Sequence, residues 1–295
     1  MALVATLISD PRSPALSPSI ANMASRAVGA SGTAWLAEGI ACDLALADGI
    51  AQDEAEKALR AAVADAPVDV AIQPAEGRRK KMLIADMDST MIDQECIDEL
   101  ADEIGVKEHV ADITARAMNG EIAFEPALRE RVALLEGLEL AVIERVITGR
   151  ITLAAGGREL IATMRNAGAY TALVSGGFDL FTGRIAAELG FHEHRANRLI
   201  EKQGKLAGTV VEPILGRQAK ADALLEIAAR LKLDPSEVMA VGDGANDLGM
   251  LNLAGAGVAI HAKPSVAAQA RIRIDHGDLT ALLYVQGYRR EEFAV

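Results

Sequence analysis

Apolar positions recur along this 295-residue chain in several registers, and each register predicts a different element. Short apolar runs over residues 3–8, 68–72, 82–85, 169–174, 238–241 and 257–260 read as buried strands, and 271–274 adds a last one. Ile40, Cys42, Leu44 and Leu46 alternate with small or polar residues, which predicts a half-buried strand, and a further strand is expected around Trp35. Helical spacing predicts helices over 18–28, 53–64, 125–135 and 220–231. Ser17-Pro18 marks the start of the first, a capping hydroxyl followed by proline at the first helical position. Residues 198–211 read as a hairpin turning at Lys202-Gln203-Gly204-Lys205.

The order of these elements divides the chain. Residues 1–76 run β-α-β-α-β and end at the basic linker 76–81, which predicts a small α+β module whose pattern resembles ligand-binding modules of the ACT type. Residues 77–295 alternate strands with helices, as an α/β doubly wound parallel sheet does. One connection is out of proportion: residues 92–150 are helical in pattern, with breakers at Gly105, Gly120 and Pro126, and exceed an ordinary crossover. An inserted helical cap over about 92–150 is the expectation.

Composition narrows the partners. Residues are 51% hydrophobic and only 3% aromatic, which suits helices packed on buried strands better than an all-β sandwich. A net charge of −12 argues against nucleic acid or an anionic membrane as the main partner, so an anionic substrate has to be drawn in by local cations or a metal. Cys42 and Cys96 have neither metal-ligand spacing nor a disulfide framework, no apolar run is long enough to span a membrane, and residues 1–18 lack the pattern of a leader. A soluble cytoplasmic protein is expected.

The chemistry concentrates at strand ends. The run 82–85 leads into Asp86-Met87-Asp88-Ser89-Thr90, where ligands bind in open α/β sheets. Two carboxylates so close repel unless a cation lies between them or one is protonated, and a hard cation such as Mg²⁺ together with a substrate phosphate would satisfy them. The plainer reading is that Asp88, Ser89 and Thr90 cap the next helix. Ser175-Gly176-Gly177 after the strand 169–174 offers a hydroxyl and free N–H groups to an anion, or is simply a turn. Lys220 stands near a predicted helix start, where the dipole disfavours a cation. Gly242-Asp243-Gly244-Ala245-Asn246-Asp247 follows the strand 238–241, and its aspartates would repel a dinucleotide but suit a metal, with Asp247 placed to orient a basic group. Glu95 falls near the first acidic loop, almost a turn of helix after Ile92. Arg129 and Arg131 read, by themselves, as a solvated helix face. His192, His194, His261 and His276 lack a third ligand and are expected in loops.

Taken in chain order, Asp-x-Asp, Ser-Gly, Lys and Gly-Asp-Gly-x-x-Asp are the signature of the haloacid dehalogenase superfamily. With Glu95, Arg129-Glu130-Arg131-Val132 and Ser175-Gly176-Gly177-Phe178 added, the stretch from about residue 80 onward more closely resembles the phosphoserine phosphatase family. That resemblance implies a HAD-like fold and hydrolysis of O-phosphoserine, the last step of L-serine biosynthesis. Asp86 would be the nucleophile and Asp88 the acid and then the base. Asp86, the carbonyl of Asp88, and Asp243 would bind Mg²⁺. Ser175, Gly176, Lys220 and Asn246 would hold the phosphoryl oxygens, with Asp247 orienting Lys220. Glu95 would take the ammonium and Arg131 the carboxylate, while Met118 and Phe124 line the cap. Phosphothreonine hydrolysis, transfer to an alcohol such as homoserine, and a catalytically silent sensor are the alternatives. For the N-terminal module, binding of an effector and formation of a homodimer both stand open, with self-association the commoner outcome for an appended domain.

Overall fold

Two sheets carry the chain, and side-chain alternation decides what covers each face. The computed structural model describes residues 2–47 and 49–295. Strands β1 (Leu3–Ile8), β2 (Gly32–Ala37), β3 (Ala41–Ala45) and β4 (Asp69–Pro74) form an antiparallel sheet in the order β2-β3-β1-β4. Helices Pro18–Ala27 and Gln52–Ala62 cover one face, where Ala5, Leu7, Cys42, Leu44, Val70 and Ile72 meet Ala24 and Leu59 in a core of their own. Ser17 caps the first helix by accepting from the Ile20 N–H, as its position predicts.

The other face of this sheet is also buried. Ile8, Ala41 and Ala71 join the main core beside Leu282, Leu283 and Val285. Between them lie Thr6, which donates to Asp43, and Asp69, which accepts from the backbone N–H groups of Asp275, His276 and Gly277 at 2.8–3.2 Å. Gln73 donates to the Val285 carbonyl, and Arg78 pairs with Asp43. Burial pushes the Asp69 carboxyl upward, and the three N–H groups work against that shift.

The second sheet holds β5 (Met82–Ala85), β6 (Tyr170–Phe178), β7 (Glu193–Asn197), β10 (Val238–Gly242), β11 (Ala256–Ile260) and β12 (Ile272–Ile274), all parallel, in the order β12-β11-β10-β5-β6-β7. β8 (Leu199–Lys202) and β9 (Lys205–Val210) form the expected hairpin. From β5 the chain steps to β6 and β7 on one side, then returns to β10, β11 and β12 on the other. A topological switch point therefore lies between β5 and β10, and a crevice opens beyond their carboxyl ends. The connection from β5 to β6 carries helices Cys96–Asp102, Lys107–Met118, Phe124–Leu134 and Leu140–Gly149, which lie where a cap was expected. The hairpin backs this layer through the bonds Gly137 N–H to Leu206 carbonyl and Leu206 N–H to Leu138 carbonyl. Among the described residues no helix is long and apolar enough to cross a membrane.

The further strand expected around Trp35 is present, so the N-terminal order is β-α-β-β-α-β. Other expectations need correction. Ile92 is in no helix; it pairs with Leu153, and the helix starts at Cys96, after Glu95. Pro126 does not break a helix but sits in the first turn of Phe124–Leu134, where a missing N–H costs nothing. β6 runs on through Ser175, Gly176 and Gly177 with a register shift, so the anion-facing turn belongs to a strand end. His194 lies on β7, its ring against Thr182, and only His192, His261 and His276 fall outside regular elements.

Replacing Asp69 by alanine leaves three N–H groups without an acceptor and is expected to cost about 1–3 kcal/mol. A lowered midpoint in urea unfolding checks this, and an unchanged midpoint refutes the clamp.

Candidate active site

Three adjacent strands deliver the acidic and hydroxyl groups. β5 ends at Ala85, β10 at Gly242 and β6 carries Ser175, so Asp86, Asp243 and Ser175 emerge side by side. The Asp86 N–H is bound to the Val241 carbonyl, which fixes the two loops against each other. Lys220 lies in the first turn of the helix Arg217–Leu231, not at its start, and is fully buried. Its Nζ is 2.7 Å from Asp86 Oδ1 and 2.7 Å from Asp247 Oδ1. Asp247 Oδ2 in turn accepts from the N–H groups of Asp243 and Gly244 at 3.1 and 3.0 Å, which shapes the glycine-rich loop. A Cβ on Gly242 would come within 2.4 Å of the Asp247 carboxyl, so this loop closes only around glycine.

Asp88 has both oxygens engaged. Oδ1 accepts from the Cys96 N–H at 2.7 Å, and Oδ2 from the Ser175 hydroxyl at 3.2 Å. The Ser175 oxygen itself accepts from the Gly177 N–H. Ser89, held at a φ of 53°, donates to Glu95 Oε1 at 2.7 Å.

Charge is crowded here. Burial and the Asp247 charge push the Asp86 carboxyl well above its usual range, against the pull of Lys220. Asp243 is pushed up to about 7 by burial and by Asp247, with Lys263 and Lys220 acting against it. Burial opposes the Lys220 ammonium, but Asp247 and Asp86 outweigh it and raise its pKa. Glu95 is raised by burial and by the charges of Asp88 and Asp243. A cation placed among these carboxylates would relieve all of them.

Asp86, Asp243 and Asp247 bring carboxylate oxygens within 4.8 Å of one another, enough to hold a divalent metal. Not all three are equally available. Both Asp247 oxygens are occupied by Lys220 and the loop N–H groups. Asp243 Oδ2 is buried without a hydrogen bond, its nearest cation being Lys263 at 3.6 Å, and Asp86 Oδ2 accepts none. Unpaired carboxylate oxygens of this kind fit a hard cation, with Asp247 bracing them.

The cap supplies the other wall. Asp86, Asp88, Glu95, Met118, Phe124, Arg131, Ser175, Gly176, Asp243 and Asn246 line one cavity, while Lys220 and Asp247 stand behind it. Arg131 is not a solvated residue: it is 2% exposed, its Nε donating to the Ala127 carbonyl and its Nη1 to the Thr114 hydroxyl. Arg129 is on the surface, paired with Glu212. The Met118 carbonyl accepts from the Ala245 N–H, so the cap rests on the glycine-rich loop. About 30 Å³ remains free inside, room for a water or two.

Some supporting residues carried no sequence signal. Buried Asn197, at the end of β7, donates to the Gly176 carbonyl and accepts from the Leu215 N–H, tying the Ser-Gly turn to the approach of the Lys220 helix. Ile97, Leu128, Gly177 and Phe178 complete the lining. Thr90 reaches Asp243 Oδ1 at 3.3 Å; its place beside the Asp-x-Asp pair was the available clue.

A family model for haloacid dehalogenase-like hydrolases matches residues 83–252. A phosphoserine phosphatase of Archaeoglobus fulgidus is 42% identical over 234 residues, which is 79% of this chain and 68% of that one. A solved structure described as a phospho-aspartyl intermediate analogue of phosphoserine phosphatase is 43% identical with a TM-score of 0.67, covering 70% of this chain and 98% of its own. The unliganded probable phosphoserine phosphatase from Vibrio cholerae is 30% identical with a TM-score of 0.76, covering 99% of this chain and 88% of its own.

A Cβ on Gly176 would lie 2.6 Å from Phe124 Cζ. Gly176→Ala is therefore expected to weaken binding of inorganic phosphate by about tenfold or more, about 1.4 kcal/mol. Calorimetric titration checks this, with the thermal midpoint as the control for folding.

Proposed function

The chain belongs to the haloacid dehalogenase-like hydrolases, and from that membership we propose that it hydrolyses O-phosphoserine to serine and phosphate through an aspartyl-phosphate. One observation carries the substrate assignment. One cavity is lined both by Asp86, Asp88 and Ser175 and by the half-buried Glu95 and the buried Arg131. Arg131 is hydrogen-bonded only to neutral oxygens, and a guanidinium and a carboxylate lining one cavity are complements to a carboxylate and an ammonium on a single carbon.

The residues divide the work. Lys220 and the Met87 N–H hold Asp86 Oδ1, which leaves Oδ2 free toward the phosphorus. Attack there forms the acyl phosphate and breaks the ester bond, splitting one hard displacement into two easier ones. Asp88, fixed by Cys96 N–H and Ser175, protonates the departing serine alkoxide and later takes a proton from the water that frees phosphate. Ser175, the Gly176 N–H, Lys220 and Asn246 hold the phosphoryl oxygens. Asp86, the Asp88 carbonyl and Asp243 are the ligands for Mg²⁺, which when bound screens the repulsion between carboxylate and phosphoryl group.

Residues 77–295 form the catalytic unit, with the cap over about 92–150. Residues 1–76 are an appended module, supported by a sheet and an apolar cluster of their own. β2 is the outer edge of that sheet and carries no charged residue, a surface suited to pairing with a second copy. Free, buried Cys42 and Cys96 accord with a reducing cytoplasm.

A phosphate-release assay over phosphoserine, phosphothreonine and an aryl phosphate, with and without EDTA, tests the assignment. Phosphoserine should be preferred and chelation should abolish release; indifference to EDTA overturns the metal. Asp86→Asn should lose turnover and phosphoryl labelling at residue 86, whereas Asp88→Asn should fall by roughly two to four orders of magnitude. Arg131→Ala should cost about 2–5 kcal/mol on phosphoserine and little on the aryl ester. Equal losses on both would mean that Arg131 serves the fold and not the amino acid end.

A further inference from the structure

The guanidinium of Arg131 lines the catalytic cavity, but the residue that steadies it does not. Thr114 lies outside the lining, and its Oγ1 accepts from Arg131 Nη1 at 2.9 Å. The same hydroxyl is 2.8 Å from Asp98 Oδ1 and 2.9 Å from the Val110 carbonyl, to one of which it gives its single proton. Three cap helices meet in this chain of groups: Asp98 comes from Cys96–Asp102, Thr114 from Lys107–Met118 and Arg131 from Phe124–Leu134.

Thr114 stands at an apolar position of its helix. Val110, Ile113, Ala117 and Met118 are buried at the same helical spacing, and Ile113 and Ala117 cluster with Ala127 of the next helix. A valine would extend that stripe with no polar group to satisfy. Nor does the hydroxyl need Arg131 for its own sake, since the carbonyl four residues back is within reach of its proton. What it adds is an acceptor for a guanidinium that is itself 2% exposed and hydrogen-bonded only to neutral oxygens. The charge of Asp98, which shares the same hydroxyl, favours the guanidinium too.

The orientation of Arg131 is thus set at two points. Its Nε is spent on the Ala127 carbonyl at 3.1 Å and one Nη1 hydrogen on Thr114, while Nη2 has no hydrogen-bond partner among the described residues. One bond would leave the planar fork free to turn about it; two bonds from different nitrogens fix the plane. The donors left over sit on Nη1 and Nη2, a pair able to grip one carboxylate with two parallel bonds.

We infer that Thr114 is a positioning residue for substrate selection: its hydroxyl fixes the plane of Arg131, and the preference for a phosphate ester that bears a carboxylate depends on it. The inference rests on the proposed assignment of the substrate carboxylate to Arg131.

Two non-hydrolysable phosphonates test it: phosphoserine with a methylene in place of its ester oxygen, and the same compound without its carboxylate. In calorimetric titrations of the full-length protein with Mg²⁺, wild type should bind the first about tenfold or more tightly than the second. Thr114→Val should weaken the first by about tenfold and leave the second within about twofold, and Thr114→Ser, which keeps the hydroxyl, should restore the difference. In steady-state assays Thr114→Val should raise KM for phosphoserine about tenfold with kcat within about twofold, and leave an aryl phosphate unaffected. Thermal midpoints report folding, and Thr114→Ala, which removes the same hydroxyl without adding bulk, carries the test if the valine variant does not fold. Equal weakening of both phosphonates, or a serine variant no better than valine, overturns the inference. Discrimination that persists undiminished without the hydroxyl overturns the inference alone, whereas a wild type that binds both phosphonates equally overturns the assignment of the carboxylate to Arg131 and the inference with it.

Discussion

An ammonium with no access to water is held between two aspartates, and the centre is arranged around that charge. Lys220 is the buried cation for Asp86 and Asp247, while Asp243 stands close enough to both for its own carboxyl to be pushed up to about 7. Three buried acids against one buried base, with Lys263 touching Asp243 only from the half-exposed side, is an unfavourable balance, since an unpaired buried charge costs several kcal/mol. The fold tolerates it because Asp247 is neutralised on both oxygens by Lys220 and two N–H groups. The remaining negative charge is thereby concentrated on the Asp86 and Asp243 oxygens that face the cavity. Affinity for a divalent cation follows from that residue of uncompensated charge.

The same reasoning extends to the cap. Arg131 is buried and Glu95 half-buried; the charges of Glu95, Asp98 and Asp88 favour the guanidinium, while those of Asp88, Asp243 and Asp98 penalise the glutamate. The guanidinium is desolvated before a substrate arrives, so a ligand carboxylate meets a group that has already lost its water. Such preorganisation favours selectivity over loose binding.

Much of this was legible in the chain. Asp86, Asp88, Ser175, Asp243 and Asn246 are found together because each follows an apolar run long enough to announce a strand, and parallel strands deliver their ends to one edge. Arg131 was not legible from its surroundings alone: its helix has polar residues on several sides, and its burial shows only in the folded chain, where it donates to Thr114 of the preceding helix as well as to the Ala127 carbonyl of its own. β7 was missed because Glu193-His194-Arg195-Ala196-Asn197 is polar, an edge strand whose side chains pair outward with Glu226 and Arg230. The second face of the N-terminal sheet has a related origin. Thr6, Asp43, Asp69 and Gln73 have the alternation of a wetted surface, and Thr6, Asp69 and Gln73 are buried because neighbouring side chains and distant backbone N–H and carbonyl groups complete them.

That polar face bears on how the chain is made. The acceptor at Asp69 and the donors at Asp275, His276 and Gly277 are separated by some two hundred residues. During synthesis at roughly 5–20 residues per second, the module can be complete for ten seconds or more before its partner segment leaves the ribosome. An apolar face exposed for that interval would invite association between nascent chains. A face whose centre is threonine, aspartate and glutamine stays hydrated while it waits, and exchanges water for backbone N–H groups only when the last strand and helix arrive.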